Sequence, residues 1–183
     1  MLKALFGIPS NAMSRELLIL RHAKSAWDTN AATDFERPLA KRGKKASPRV
    51  GRFLFQQDLV PDFVVSSPAM RARQTVIAVC GQMDIGPDQI IWDDRIYGGW
   101  TASIVNVLMD CPNDARRVLI AGHNPGLETL LQYLCHHRIP IPPDGKLLPT
   151  AAVAHLQIDS EWSNLDSGVA RLLSITRSRS LAD

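Results

Sequence analysis

The chain has 183 residues, 45% of them hydrophobic and 21% charged, with a formal net charge of +3. That length suits one domain with a core of its own. The positive charge is mild and dispersed: it favours an anionic ligand slightly, lacks the clustering of a nucleic-acid footprint, and no apolar run approaches membrane-spanning length.

Residues 1–14, MLKALFGIPSNAMS, carry one lysine and a short apolar patch ended by Pro9, too weak for a secretory signal. Met13 is a candidate alternative start, and Ser10-Asn11-Ala12 before it resembles a cloning remnant. This stretch is set apart as an N-terminal extension, disordered or left from cloning, and residues 15–183 are assigned to one domain. The aliphatic run Glu16 to Leu20 predicts a strand buried on both faces, as in a parallel sheet. After the polar loop TNAATDFERPLAKRG, the apolar residues Ala46, Val50, Phe53 and Leu54 predict a helix over 39–57, with Pro48 in its first turn or kinking it. Its opening KRGKK reads as a solvated helical face, with a docking patch for an acidic partner as the alternative.

Asp62 to Ser67 predicts the second strand, and Ser67-Pro68 a helix start with serine as cap and proline at the first helical position. A short strand, Gln89 to Asp94, precedes a Tyr97-Gly98-Gly99 loop and a helix from Thr101 to Met109. Arg117 to Gly122 is a further buried strand; Asn124 and Pro125 then predict the cap and first position of another helix, with Glu128 in its dipole-favoured first turns. Two late strands, AAVAHLQI and ARLLSI, flank a proline-rich loop. Strands and helices in alternation predict an α/β fold, a three-layer α/β/α sandwich with a mainly parallel central sheet. Cys80, Cys111 and Cys135 are odd in number and lack metal-ligand spacing, which fits free thiols in a reducing cytoplasm.

Open α/β sheets hold ligands at the carboxyl ends of their strands. Three predicted strands lead to cationic or reactive groups there: Arg21-His22, Arg71 through SSPAMRA, and His123. A neutral imidazole is a nucleophile near pH 7, and guanidinium groups grip phosphoryl oxygens bidentately. The helices beginning near Pro68 and Pro125 would add their positive ends. Such a set supports phosphoryl transfer by positioning and charge stabilisation, without a metal or other cofactor.

LILRHAKSAWD, SSPAMRARQT and LIAGHNPGLETL resemble the three signature blocks of the histidine phosphatase superfamily, the group that includes phosphoglycerate mutases. The short chain, the RPLAKRG segment and GHNPG look most like the SixA-type phosphohistidine phosphatases, over nearly the whole length from Leu17. The resemblance implies His22 as the nucleophile that becomes a phosphohistidine, Arg21 and Arg71 as the clamp on the phosphoryl group, and His123 as the second histidine on the same oxygens. It also implies a phosphoglycerate mutase-like fold. Two departures stand out. Where many members carry a glutamate acid the segment YGGWTAS has no carboxylate, and Asp28 stands where the mutase-like block has asparagine, with Lys24 among its neighbours. A phosphoramidate takes its proton on nitrogen and needs an enzyme acid less than an ester does. The missing glutamate therefore favours phosphohistidine. Asp28 is expected to turn away or donate a proton, paired with Lys24 or Arg37; Lys24 and Asp28 are carried as candidate substrate-binding residues.

Singly, these residues have plainer explanations. Arg73 faces elsewhere than Arg71 and is read as structural. His136 and His137 suit a helix C-terminus, His155 packing within a strand, and the tryptophans core or rim, with Trp27 a candidate pocket wall. The expected protein is a cytoplasmic, metal-independent phosphatase of phosphohistidine on a protein. The alternatives are a phosphatase of small esters or anhydrides and a non-catalytic phosphate-dependent binding module. No nucleic-acid or membrane partner is expected.

Overall fold

A computed structural model of the chain describes residues 15–182; the N-terminal extension assigned above lies outside the described residues. Six strands form one sheet in the order β3-β2-β4-β1-β5-β6. The strands β1 (Arg15–Arg21), β4 (Arg117–Gly122), β2 (Phe63–Ser66) and β3 (Ile90–Trp92) run parallel. On the other side of β1, β5 (Ala152–Ile158) is antiparallel to β1, and β6 (Ala170–Arg177) is antiparallel to β5.

Strand alternation sorts the core into two layers. Leu17 and Ile19 of β1 join one apolar cluster with α3 (Thr101–Met109) and α4 (Gly126–Leu134). Leu18 and Leu20 join the other with α1 (Lys41–Gln56) and α2 (Met70–Cys80). All four of these β1 side chains are fully buried, which explains the unbroken aliphatic run. The result is the expected three-layer sandwich with a mainly parallel sheet.

The local differences have physical reasons. The helix α2 begins at Met70 with Ala69 as its cap; Ser67 instead accepts a bond from the Ala69 amide on Oγ while that same atom meets His123. Asn124 does not cap α4 either, because its Nδ2 donates to the Leu148 carbonyl and Pro125 takes the cap position. Pro48 lies inside α1 beyond its first turn. The core face of α1 includes Gly43, Ser47 and Gly51 besides Val50 and Leu54, and small residues leave no mark in a hydrophobic periodicity. Their smallness permits close approach: a Cβ on Gly43 would come within 2.3 Å of the Lys24 carbonyl oxygen. This contact seats the loop after His22 against α1.

Candidate active site

The parallel strands place their functional ends along one edge, as their directions require. Backbone bonds join those ends directly: the His22 amide donates to the Gly122 carbonyl at 3.0 Å, and the Ser67 amide to the Ala121 carbonyl at 2.9 Å. His22 and His123 come together with ring centroids 5.0 Å apart. From α2, Thr75 reaches the loop after β1, its Oγ1 accepting from the Ala23 amide at 2.9 Å. Arg71, one turn earlier, is 7% exposed, so its guanidinium is held rather than free in solvent.

The His22 tautomer follows from its neighbour. Its Nδ1 lies 2.7 Å from the Ala23 carbonyl oxygen, which can only accept. Nδ1 therefore carries the proton and Nε2 keeps its lone pair. Burial pushes the His22 pKa down to about 4, and the charges of Arg71, Arg21 and Arg37 act in the same direction against the bond to Ala23. Burial, followed by the positive charge that His22 and Arg71 can present, lowers His123 to about 3. Both imidazoles are neutral near pH 7.

Arg21 is held by a second set of contacts. Its guanidinium donates to the Leu148 carbonyl at 2.8 Å, and Glu128 fixes that loop by accepting from the Leu148 amide at 2.7 Å. Glu128 thus does more than complement the helix dipole. Arg21 Nε, His123 Nδ1 and Asn124 Oδ1 are buried and have no hydrogen-bond partner among the described residues. An unpaired buried polar group costs about 1–3 kcal/mol, so their clustering at a strand edge marks a polar ligand site.

Asp34 and Arg37, from the loop between β1 and α1, complete the ring of charge. Asp34 accepts from Arg71 at 2.8 Å and from Arg37 at 2.6 Å, while the Tyr97 hydroxyl donates to it at 3.2 Å. Arg37 also donates to the Ala26 carbonyl and the Ser25 hydroxyl, and its guanidinium lies 3.7 Å from the Trp27 ring centroid. These contacts correct the expected pairing of Arg37 with Asp28. Asp28 is exposed and has no hydrogen bond or ion pair among the described residues. Trp27 is 76% exposed and serves as the platform for Arg37. Lys24 is exposed, at the side of the site rather than its floor. Arg73 stacks over Trp92, consistent with its structural reading.

The motifs did not point to Asp34, Thr75 or Tyr97, nor to Ser67 as the 2.8 Å partner of His123 Nε2. Asp34 lies only three residues before Arg37, so an i,i+3 charge pair was the available signal. Among the described residues no group of three or more His, Cys, Asp or Glu side chains is placed to hold a metal ion. No helix among them is long and apolar enough to cross a membrane.

Comparison with known proteins bears on the family and the fold. Residues 17–102 match the model of the histidine phosphatase superfamily, branch 1. An uncharacterised chloroplastic protein of Arabidopsis thaliana is 38% identical over 66% of this chain, and the match spans 59% of that protein's length. The phosphohistidine phosphatase SixA of Escherichia coli K12 is 26% identical over 79% of this chain and 86% of its own. A structure from Nakamurella multipartitia, described as a SixA phosphohistidine phosphatase, superposes with a TM-score of 0.78 at 26% identity, covering 90% of this chain and 96% of that one. Over residues 17–102 the chain is similar to the histidine phosphatase superfamily, and it has a phosphoglycerate mutase-like fold. The chain is SixA-like, and the comparisons support a phosphatase.

Proposed function

We propose that the protein is a cytoplasmic, metal-independent phosphatase that removes phosphate from phosphohistidine on a protein, through a phosphohistidine intermediate on His22. The observation that carries this reading is the His22 ring itself. Its Nδ1 is committed to the Ala23 carbonyl, leaving a neutral Nε2 lone pair beside Arg21, Arg71 and His123. In the first step Nε2 attacks phosphorus as the substrate's phosphorus–nitrogen bond breaks; the substrate imidazole, already protonated on its other ring nitrogen, takes the bonding pair and leaves neutral. In the second, water attacks phospho-His22, the new phosphorus–nitrogen bond breaks, and inorganic phosphate leaves. Arg21 and Arg71 hold the equatorial oxygens in both steps, and His123 supports the same oxygens.

Support for a phosphoramidate comes from the absence of a carboxylate at the glutamate position, now occupied by the Tyr97–Ser103 segment. The SixA relatives point the same way. The cysteines Cys80, Cys111 and Cys135 are free and buried, which suits a reducing compartment. His22→Ala is expected to abolish both turnover and the acid-labile phosphoenzyme, and a chelator should leave the wild-type rate unchanged. Retained turnover in His22→Ala overturns the mechanism. Rates on a phosphohistidine protein, a phosphoramidate and a panel of phosphate esters decide the substrate; a higher kcat/KM on the esters overturns the phosphohistidine assignment.

A further inference from the structure

Beside the phosphoryl site, past Arg21, runs a groove most of whose cations the proposed chemistry does not use. Its inner part, about 310 Å³, starts at Arg21 and Lys24 and continues along Arg42, Lys146 and Arg179. Its outer part, about 570 Å³, shares Arg42 and Arg179 and extends to Lys41 and Lys45. Topology explains the convergence. The strands β1 and β6 are each antiparallel to β5, so both end on the same edge of the sheet. The start of α1 returns from that edge. Cations far apart in the chain therefore meet where β1 delivers His22.

The charge is one-sided. Among the described residues, Asp144 is the only acidic one lining either part, and it is occupied by Arg177 at 2.6 Å and Arg179 at 3.2 Å. Lys24, Lys41, Arg42, Lys45 and Lys146 are exposed and have no ion-pair partner among the described residues. A row of like charges is unfavourable by itself and is relieved by an extended anion. The groove's lining narrows the choice: among the described residues no aromatic side chain lines it to stack a base.

We propose that this groove docks an acidic segment of the phosphorylated protein substrate, whose carboxylates follow the cations from Lys24 outward to Lys45. The proposal rests on the phosphoprotein reading above, and its test separates the two. Arg42 and Lys45 lie outside the phosphoryl site, and glutamate in the first turns of α1 suits the helix dipole, so R42E/K45E keeps the fold. Wild-type protein is expected to show a KM about tenfold lower for a phosphohistidine peptide flanked by glutamates than for one flanked by glutamines, an advantage that shrinks with salt. R42E/K45E should erase that preference while kcat on the peptides and turnover of free phosphoramidate stay unchanged. Equal KM values for the two peptides with wild-type protein overturn the proposal. Where wild-type protein hydrolyses phosphoramidate but neither peptide, the phosphoprotein reading fails. The groove is then decided by binding of a fluorescein-labelled oligoglutamate, which must be seen with wild type and lost in R42E/K45E. Loss of binding to phosphatidylserine vesicles in the variant, with no oligoglutamate binding by wild type, assigns the groove to a membrane instead and overturns the proposal.

Discussion

Arg71 faces two claims: Asp34 holds it in the free protein, and in the proposed mechanism a phosphoryl group needs the same guanidinium. The carboxylate of Asp34 has a side-chain exposure of 52%, against 9% for Arg71, so the acid can swing away while the base stays. The bonds and charges of Arg37 and Arg71 hold its pKa below the ordinary value against a desolvation that acts the other way, so Asp34 is ionised near neutrality. In the proposed mechanism it is thus a competitor of the incoming anion and a poor proton donor. Asp34→Asn removes a negative charge from beside the phosphoryl group and should lower the Ki of inorganic phosphate about fivefold, read by competitive inhibition. A raised Ki would assign Asp34 to holding Arg71 in place. At this scale the motifs made Arg21, His22, Arg71 and His123 legible, because those residues follow strand ends. Asp34 and Tyr97 come from irregular segments, whose side-chain directions no periodicity encodes.

Among the elements, α1 shows how small residues set helix contacts. Gly51 faces α2 so closely that a Cβ there would lie 2.3 Å from the Val79 carbonyl oxygen and 2.9 Å from the Gln82 side chain. Gly51→Ala would gain about 1 kcal/mol of helix propensity. The overlap with a backbone oxygen costs about 1–3 kcal/mol and wins, because α1 and α2 must move apart. The variant should lower the urea midpoint without changing the slope, a comparison of two unfolding curves. An increase in midpoint would mean that the helices separate at no cost. The sequence places α1 nearly correctly, 39–57 against Lys41–Gln56. It cannot identify the glycine face, since glycine weighs as a helix-weakening residue until a neighbour is known. The shifted starts of α2 and α4 have a similar origin: Ser67 and Asn124 are drawn to His123 and Leu148 rather than to helix amides.

For the whole molecule, the site's pH response depends on charge assembled from separate elements. Arg21 comes from β1, Arg37 from the following loop and Arg71 from α2, and all three act with burial to hold His22 near 4 instead of 6.5. Between about 6.5 and 4 the unfolded chain binds a proton that folded His22 refuses. The stability this group contributes is therefore fully present above 6.5 and is lost as pH falls through the folded value near 4. His22, the nucleophile of the proposed mechanism, stays neutral over the same window. An NMR titration of the His22 ring in phosphate-free buffer should place its midpoint near 4, and a midpoint near 6.5 would contradict the burial of this ring.

The strand–helix alternation, the aliphatic β1 run and the three motif blocks determine, without coordinates, the three-layer fold and the histidine–arginine set at one sheet edge. They do so because periodicity and strand direction are local properties that propagate through a parallel sheet. Tertiary structure alone decided the tautomer of His22, the hold of Asp34 on Arg71 and the joining of KRGKK to the end of β6 in one cationic groove. The tautomer depends on the backbone course just after His22, and the other two on distances between residues far apart in the chain; electrostatic interaction is set by distance and burial, neither of which residue order encodes.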